Sequence, residues 1–213
     1  HLLLIDRQSK ETGVDLHVVG TIRLLDLIVA EENAGFYSAK EYDLTKIIKS
    51  KKKSLEIGRA CVEKEYRGTV ALHLLWKSLG AYVVSKEITI LFGVASFHGK
   101  EISKFNSALS LLTHKFSVSK KLNIVALSSG YIDMNIIPLE KLNHEKALLE
   151  MPSLIKAYLR LGAKVGEGAY IDTKFNTIDI GIIIEIDIMN DRYKEFYGGK
   201  KIPKTAQLPI GVN

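Results

Sequence analysis

The sequence predicts an α/β domain, a mixed sheet flanked by helices with an antiparallel hairpin near its carboxyl end. Three observations predict it. "SLEIGRACV" (Ser54 to Val62) is followed by Leu72, Leu75, Trp76, Leu79, Tyr82 and Val83 at helical spacing and then by "ITILFGVASF". Strand, helix and strand make a βαβ unit, whose right-handed crossover sets the Tyr66–Gly68 loop at the carboxyl end of the first strand. The second strand is apolar on both faces, as a parallel neighbour is. Finally, Ile178, Ile180, Ile182, Ile184, Ile186 and Ile188 alternate with residues that include Asp179, Glu185 and Asp187. That pattern predicts a long strand with one buried face, paired with Lys164–Ile171 through "DTKFN".

The remaining elements follow in order. "HLLLID" reads as a strand from its first residues, without a methionine or charged leader, which suggests a missing N-terminal segment. "LHVVGTIRLLDL" is a second strand, and "NAGFYSAKEYDL" a turn and short helix. Ser103 to Phe116 predicts a helix with Phe105, Leu109, Leu112 and Phe116 as its stripe. Pro152 opens another, with Leu154, Tyr158 and Leu161 inward and Gly162 at its end. With 213 residues and 46% hydrophobic content, the chain is long enough for one substantial core, and residues 1–213 are expected to form one domain.

Composition excludes several classes. Four prolines and 25% charged residues leave no low-complexity tail. The single cysteine, Cys61, excludes an internal disulfide framework and suits a reducing cytosol; a buried, inert thiol is the expectation for it. No apolar run approaches the roughly 18 residues of a spanning helix. The six histidines, His1, His17, His73, His98, His114 and His144, show no metal-ligand spacing, and no metal is expected. A formal net charge of +6 and the lysines of "TKIIKSKKKS" suit either a solvated loop or an acidic partner, such as anionic lipid or an acidic carrier protein. Nucleic acid is not expected, because Lys51 to Lys53 lack aromatic neighbours for base stacking.

Chemistry is expected around the first strand of the βαβ unit. Glu56 and Arg59 sit inside it, and three positions of regular strand send them to opposite faces unless a bulge realigns them. Gly58 and Ala60 leave little bulk on the Glu56 face, which leaves room for a slender ligand arm; a structural ion pair is the competing reading. Arg23 adds a second cation in the neighbouring strand. The loop Tyr66, Arg67 and Gly68 opens a helix whose first N–H groups suit a phosphate. Asp172, Asn176 and Asp179 are either turn residues or a site for an amine.

Taken together, "VVGTIRLL", "LEIGRACV", "YRG", "LFGVASFHG", "PSLIKAYLRLGAKVG" and "IDTKFNTID" resemble the ornithine N-acyltransferases that use acyl carrier protein. These form a hemolysin-like branch of the Gcn5-related N-acetyltransferase superfamily. The resemblance covers almost the whole chain, with residues 1–100 as the core acyltransferase half and 101–213 as the family-specific half. It implies a splayed central sheet, in which "LEIGRACV" parts from "ITILFGVASF" to admit the pantetheine arm of a thioester donor. "EIGR" is similar to the Glu-x-x-Arg of acyl-homoserine-lactone synthases, and Arg23 to the arginine of their G-x-x-R-L strand. Val70 and Leu72 stand where coenzyme A users carry glycines after an arginine like Arg67, which favours the single phosphate of a carrier-linked arm.

The implied reaction moves a 3-hydroxyacyl chain from acyl carrier protein to the α-amine of ornithine, giving lyso-ornithine lipid. Glu56 would serve as base, and Arg59 or Arg23 would clamp the carboxylate. Backbone N–H groups near Cys61 and Val62 would hold the oxyanion, Tyr66, Arg67 and Gly68 would hold the donor phosphate, and Ser96, Asp172 and Asp179 would bind the acceptor. No tightly bound cofactor is implied, and the expected place is the cytoplasm, with peripheral contact at the inner face of a bacterial membrane. The rival readings are another amino-acid N-acyltransferase, such as an acyl-homoserine-lactone synthase, and a non-catalytic membrane-binding protein.

Overall fold

A computed structural model describes residues 1–7 and 17–188; Leu16, where the second expected strand begins, lies outside them. In chain order the elements are β1 (Leu2–Asp6), β2 (His17–Asp26), α1 (Leu27–Glu31), β3 (Tyr42–Asp43), α2 (Thr45–Lys49), β4 (Ser54–Val62), α3 (Ala71–Ser85), β5 (Ile90–His98), α4 (Asn106–Phe116), β6 (Val125–Ala126), β7 (Tyr131–Ile132), α5 (His144–Glu150), α6 (Ser153–Arg160), β8 (Lys164–Asp172) and β9 (Thr177–Glu185). Short 3-10 turns cover Tyr37–Lys40, Lys64–Tyr66 and Ile102–Phe105 among others. The described residues form two compact units, and β2 and β4 each contribute to both.

The first unit holds residues 1–7, 17–24 and Ile57–Ile88. Its strands run in the order β1, β2, β4, with β1 antiparallel to β2 from Leu2↔Ile22 to Asp6↔His17. The helix α3 buries Leu75, Trp76, Leu79 and Val83 of the stripe that periodicity predicts, and Ala71 with them, while Leu72 and Tyr82 are half-buried. Gly20 explains the glycine of "VVGTIR". A Cβ there would lie 3.1 Å from Leu75 Cδ1 and 3.3 Å from the Cys61 carbonyl, so its absence lets helix and strands close up.

The second unit holds Leu25–Glu56 and residues 89–188. Here Ser54, Leu55 and Glu56 of β4 pair in parallel with Ile90, Leu91 and Phe92 of β5. All nine residues of β5 then pair antiparallel with β9, from Ile90↔Glu185 to His98↔Thr177. Beyond β9 come β8, β6 and β3, with β7 also on β8. The hairpin of β8 and β9 turns where the sequence places it, because Asp172 Oδ1 accepts the N–H groups of Lys174 at 2.7 Å and Phe175 at 2.9 Å.

Four expectations are corrected. First, β9 is buried on both faces, not one: Ile180, Ile182 and Ile184 are at most 3% exposed, and Ile183 on the other face is 1% exposed. The strand lies inside the sheet, and its odd-numbered face joins a core that includes Phe36, Tyr42, Ile47, Phe92 and Ile124. Second, the strand ends at Glu185, and Ile186–Ile188 forms a 3-10 turn. Third, the helix expected from Ser103 begins as a 3-10 turn and becomes α-helical only at Asn106. Fourth, Pro152 caps α6 instead of opening its first turn, and Ile155 is the buried residue in place of Leu154. Gly162 follows the helix with φ of 94°, the left-handed stop expected of it.

Gly168 shapes the next site. Its φ is 73°, and it sits where the β8–β9 register shifts between Val165 and Ala169. A bulge of this kind redirects the strand. It leaves the Gly168 carbonyl 2.9 Å from the Tyr42 hydroxyl, which also lies 3.0 Å from the Asp179 carbonyl. No helix among the described residues is long and apolar enough to cross a membrane.

Candidate active site

Strands β4 and β5 are each nine residues long, yet their ladder covers three pairs and ends at Glu56↔Phe92. Glu56, at the last pair, is 1% exposed. Its Oε1 accepts the Ser38 N–H at 2.7 Å and the Ser38 hydroxyl at 2.6 Å, and its Oε2 accepts the Tyr37 N–H at 3.0 Å. These are the leading N–H groups of the 3-10 turn Tyr37–Lys40, which lack partners within the turn. A buried carboxylate in the strand thus caps the turn that delivers Glu41.

Glu41 follows that turn and is 4% exposed. Its own N–H bonds Ser38 O at 3.0 Å, its carbonyl accepts Leu127 N–H at 2.7 Å, and Tyr42 beside it is held by the two carbonyls named above. The side chain meets Asp179, also 4% exposed, on the odd-numbered face of β9. Ser96, the register partner of Asp179 on β5, and Thr177 lie beside the Asp179 carboxyl and oppose part of the rise that burial causes in it. One carboxylate oxygen from each of Glu41, Asp172 and Asp179 lies within 4.8 Å of the others. Glu41 Oε2 and Asp179 Oδ1 are buried without a hydrogen-bond partner. This donor set is suited to a cation.

Burial, reinforced by the Asp179 carboxylate, pushes the Glu41 carboxyl up to about 8, and burial raises Asp179 as well. With its carboxyl raised to about 8 beside Asp179, Glu41 is protonated at neutral pH, and that proton is shared by two buried carboxyls that otherwise offer each other no donor. Stability follows with a definite sign. The folded-state value for Glu41 lies above its ordinary 4.5, so its contribution is complete below pH 4.5 and is lost as pH rises toward 8. The thermal midpoint of wild type is expected to fall across that window relative to Glu41→Gln; parallel profiles for the two proteins would contradict the shared proton.

In the first unit, Arg23 is half-buried, and its Nη2 would lie 3.9 Å from a Cβ placed on Gly58, the nearest approach to that Cβ among the described residues. Arg59 is exposed, not buried, and has φ of 48°, so the strand breaks its pleat there. Cys61 is exposed, which corrects the expectation of a buried thiol. In the following loop, Arg67 Nε donates to the Val62 carbonyl at 3.0 Å, Gly68 has φ of 76°, and the Tyr66 hydroxyl donates to Asp6 at 2.5 Å. Thr69 Oγ1 accepts the Ala71 N–H at 3.2 Å at the start of α3.

The Acetyltransferase (GNAT) domain family matches residues 1–77. An L-ornithine N(alpha)-acyltransferase of Rhodobacter capsulatus is 42% identical over 197 residues, covering 92% of this chain and 75% of that protein. The chain belongs to the L-ornithine N(alpha)-acyltransferase family. A second relative of that name, from Agrobacterium fabrum, is 40% identical over 202 residues, covering 94% of this chain and 69% of that protein. Among solved structures, FeeM, an N-acyl amino acid synthase from uncultured soil microbes, aligns with 81% of this chain and 68% of its own at 11% identity and a TM-score of 0.38.

As a member of the L-ornithine N(alpha)-acyltransferase family, the chain is an acyltransferase with the mixed, unclosed sheet of the Gcn5-related fold. Of the residues singled out from the sequence, Ser96, Asp172 and Asp179 converge in the second unit, and Glu56 is near enough to Glu41 to oppose its ionisation. In the first unit Arg23 overlies Gly58, while Val62, Tyr66, Arg67 and Gly68 share one loop region. Glu41 is the residue that sequence reasoning passed over. Its only signal is a carboxylate directly before Tyr42 in a stretch that reads as a polar turn.

Proposed function

We propose that this chain transfers an acyl group, 3-hydroxylated and long, from the phosphopantetheine thioester of acyl carrier protein to the α-amine of ornithine, giving lyso-ornithine lipid. The observation that carries the acceptor is the match over 92% of the chain to a relative named for it. The ornithine α-ammonium gives a proton to Glu56, directly or through a water, and the freed amine attacks the thioester carbon. The tetrahedral oxyanion takes backbone N–H groups near Cys61 and Val62; the carbon–sulfur bond then breaks, the nitrogen gives its second proton to the departing sulfur as the amide forms, the sulfur leaves as a thiol, and the proton on Glu56 passes to solvent. Arg59 or Arg23 binds the ornithine carboxylate, and Asp172 and Asp179, the latter beside Ser96 in the ladder, take its side-chain ammonium.

The donor arm runs along β4 past Gly58, where a Cβ would meet only Arg23. Its one phosphate sits at the start of α3 with Tyr66, Arg67 and Gly68, and Val70 and Leu72 leave less room for the larger pyrophosphate of coenzyme A. The second unit also bears a groove of about 420 Å³ lined by Lys46, Lys49, Lys52 and Lys121, with Glu185 paired to Lys52 at 3.3 Å. Its charge fits an anionic partner, the carrier protein or the inner membrane surface that receives the product. The test is incubation with 3-hydroxyacyl carrier protein and a panel of amino acids, read by mass spectrometry. Acyl-ornithine is the expected product; a lactone, or a thioester left unconsumed while the protein binds membranes, would overturn the proposal.

A further inference from the structure

We infer that Glu41 completes, with Asp172 and Asp179, a pocket for one primary ammonium, and that Glu41 thereby selects diamino over monoamino acceptors, giving up a shared proton in exchange for the cation. The inference rests on the reaction proposed above and adds to it the residue and the proton exchange that fix the acceptor's side chain.

Geometry carries it. Glu41 and Asp179 are each 96% buried, with Glu41 Oε2 and Asp179 Oδ1 lacking partners. A buried acceptor left unpaired is costly, so such atoms mark the place of an absent donor. The three carboxylates present oxygens no more than 4.8 Å from one another, so a single cation can meet all three at once. An ammonium offers three donors and a point charge, which three carboxylates suit better than the planar fork of a guanidinium.

The pocket is also pre-formed. Ser38 and Leu127 hold the Glu41 backbone, the Tyr42 hydroxyl bridges the Gly168 and Asp179 carbonyls, the full β5–β9 ladder fixes the Asp179 backbone, and the hairpin turn holds Asp172. Without a cation, the Glu41–Asp179 contact requires a proton. The charged groups that act most strongly on Glu41 are acidic, namely Asp179 and Asp172 from the hairpin and Glu56 from β4. When the ammonium enters, both carboxyls ionise, one proton leaves, and the net charge of the pocket is unchanged.

The experiment compares ornithine with norvaline, which has the same carbon chain without the terminal amine. Calorimetry on the full chain at pH 7, in buffers of differing ionisation enthalpy, reads binding and protons released. Kinetics with acyl carrier thioester read the acceptor preference. Wild type is expected to bind ornithine with release of close to one proton and to prefer it by about 10⁴-fold, the discrimination of a site whose buried polar groups a wrong ligand leaves unpaired. Glu41→Gln is expected to abolish the proton release and to narrow the preference at least tenfold, mainly through KM.

Equal use of ornithine and norvaline, or ornithine binding with no proton released, would overturn the inference without needing a folded variant. So would tight binding of magnesium or manganese alone that competes with ornithine. Should no amino acid be acylated, the reaction proposed above fails, while proton-coupled binding of ornithine still decides the pocket.

Discussion

Replacing Glu56 with glutamine is expected to lower kcat/KM for ornithine by about 10²–10⁴, the range of general-base catalysis. Glutamine keeps an oxygen for the Ser38 bonds but turns an amide NH₂ toward the Tyr37 N–H, where Oε2 now accepts at 3.0 Å. Donor against donor in a buried site costs about 1–3 kcal/mol, so the thermal midpoint drops as well. The two effects separate by pH. Loss of a base leaves residual activity that climbs with hydroxide concentration, whereas loosening of the 3-10 turn scales activity down without changing the shape of the profile. An unchanged profile would assign Glu56 to positioning alone.

Valine at Gly58 is the second large effect. An added Cβ meets only Arg23 Nη2 at 3.9 Å, and a β-branched residue suits a strand, so the protein is expected to fold with its midpoint preserved. If the donor arm passes over Gly58, the new methyl groups displace it by an ångström or more, and kcat/KM for the acyl carrier substrate falls on the order of 10²-fold. Full turnover by a folded Gly58→Val protein would place the arm elsewhere.

The sequence made the large elements legible because their signals are local. The 3.6-residue stripe of α3, the doubly apolar β5 and the Asx turn at Asp172 each depend on a few neighbouring residues. What it hid depends on tertiary partners. Strict alternation in β9 suggests one wet face, but that face is covered by the core around Tyr42 and Ile124, so Asp179 is buried where a solvated carboxylate was the simpler reading. Arg59 and Cys61 continue an apolar run, yet they are exposed in the part of β4 past its three ladder pairs with β5. The helix α5 buries only Ala147 and shows Leu149 at 84% exposure, so it carries no stripe to detect. The two-residue strands β3, β6 and β7 are too short for any period.

Within the candidate site, the hairpin carboxylates were visible and Glu41 was not. Asp172 and Asp179 flank a recognisable turn, while Glu41 becomes a neighbour of Asp179 only after the Glu56 carboxylate caps the 3-10 turn that precedes it. A dependence spanning four elements leaves no trace in spacing.

The central claim is transfer of an acyl group from carrier thioester to the α-nitrogen of ornithine, and the most direct measurement follows both ends of that transfer. Purified protein is given 3-hydroxyacyl carrier protein and ornithine labelled with heavy nitrogen at the α position. Thiol release is measured against acylated product, and fragmentation of the product locates the acyl group. One thiol per acyl-ornithine, with the label in the amide, is the predicted result. Acylation on the side-chain nitrogen, or thiol release without an acylated amine, would contradict it.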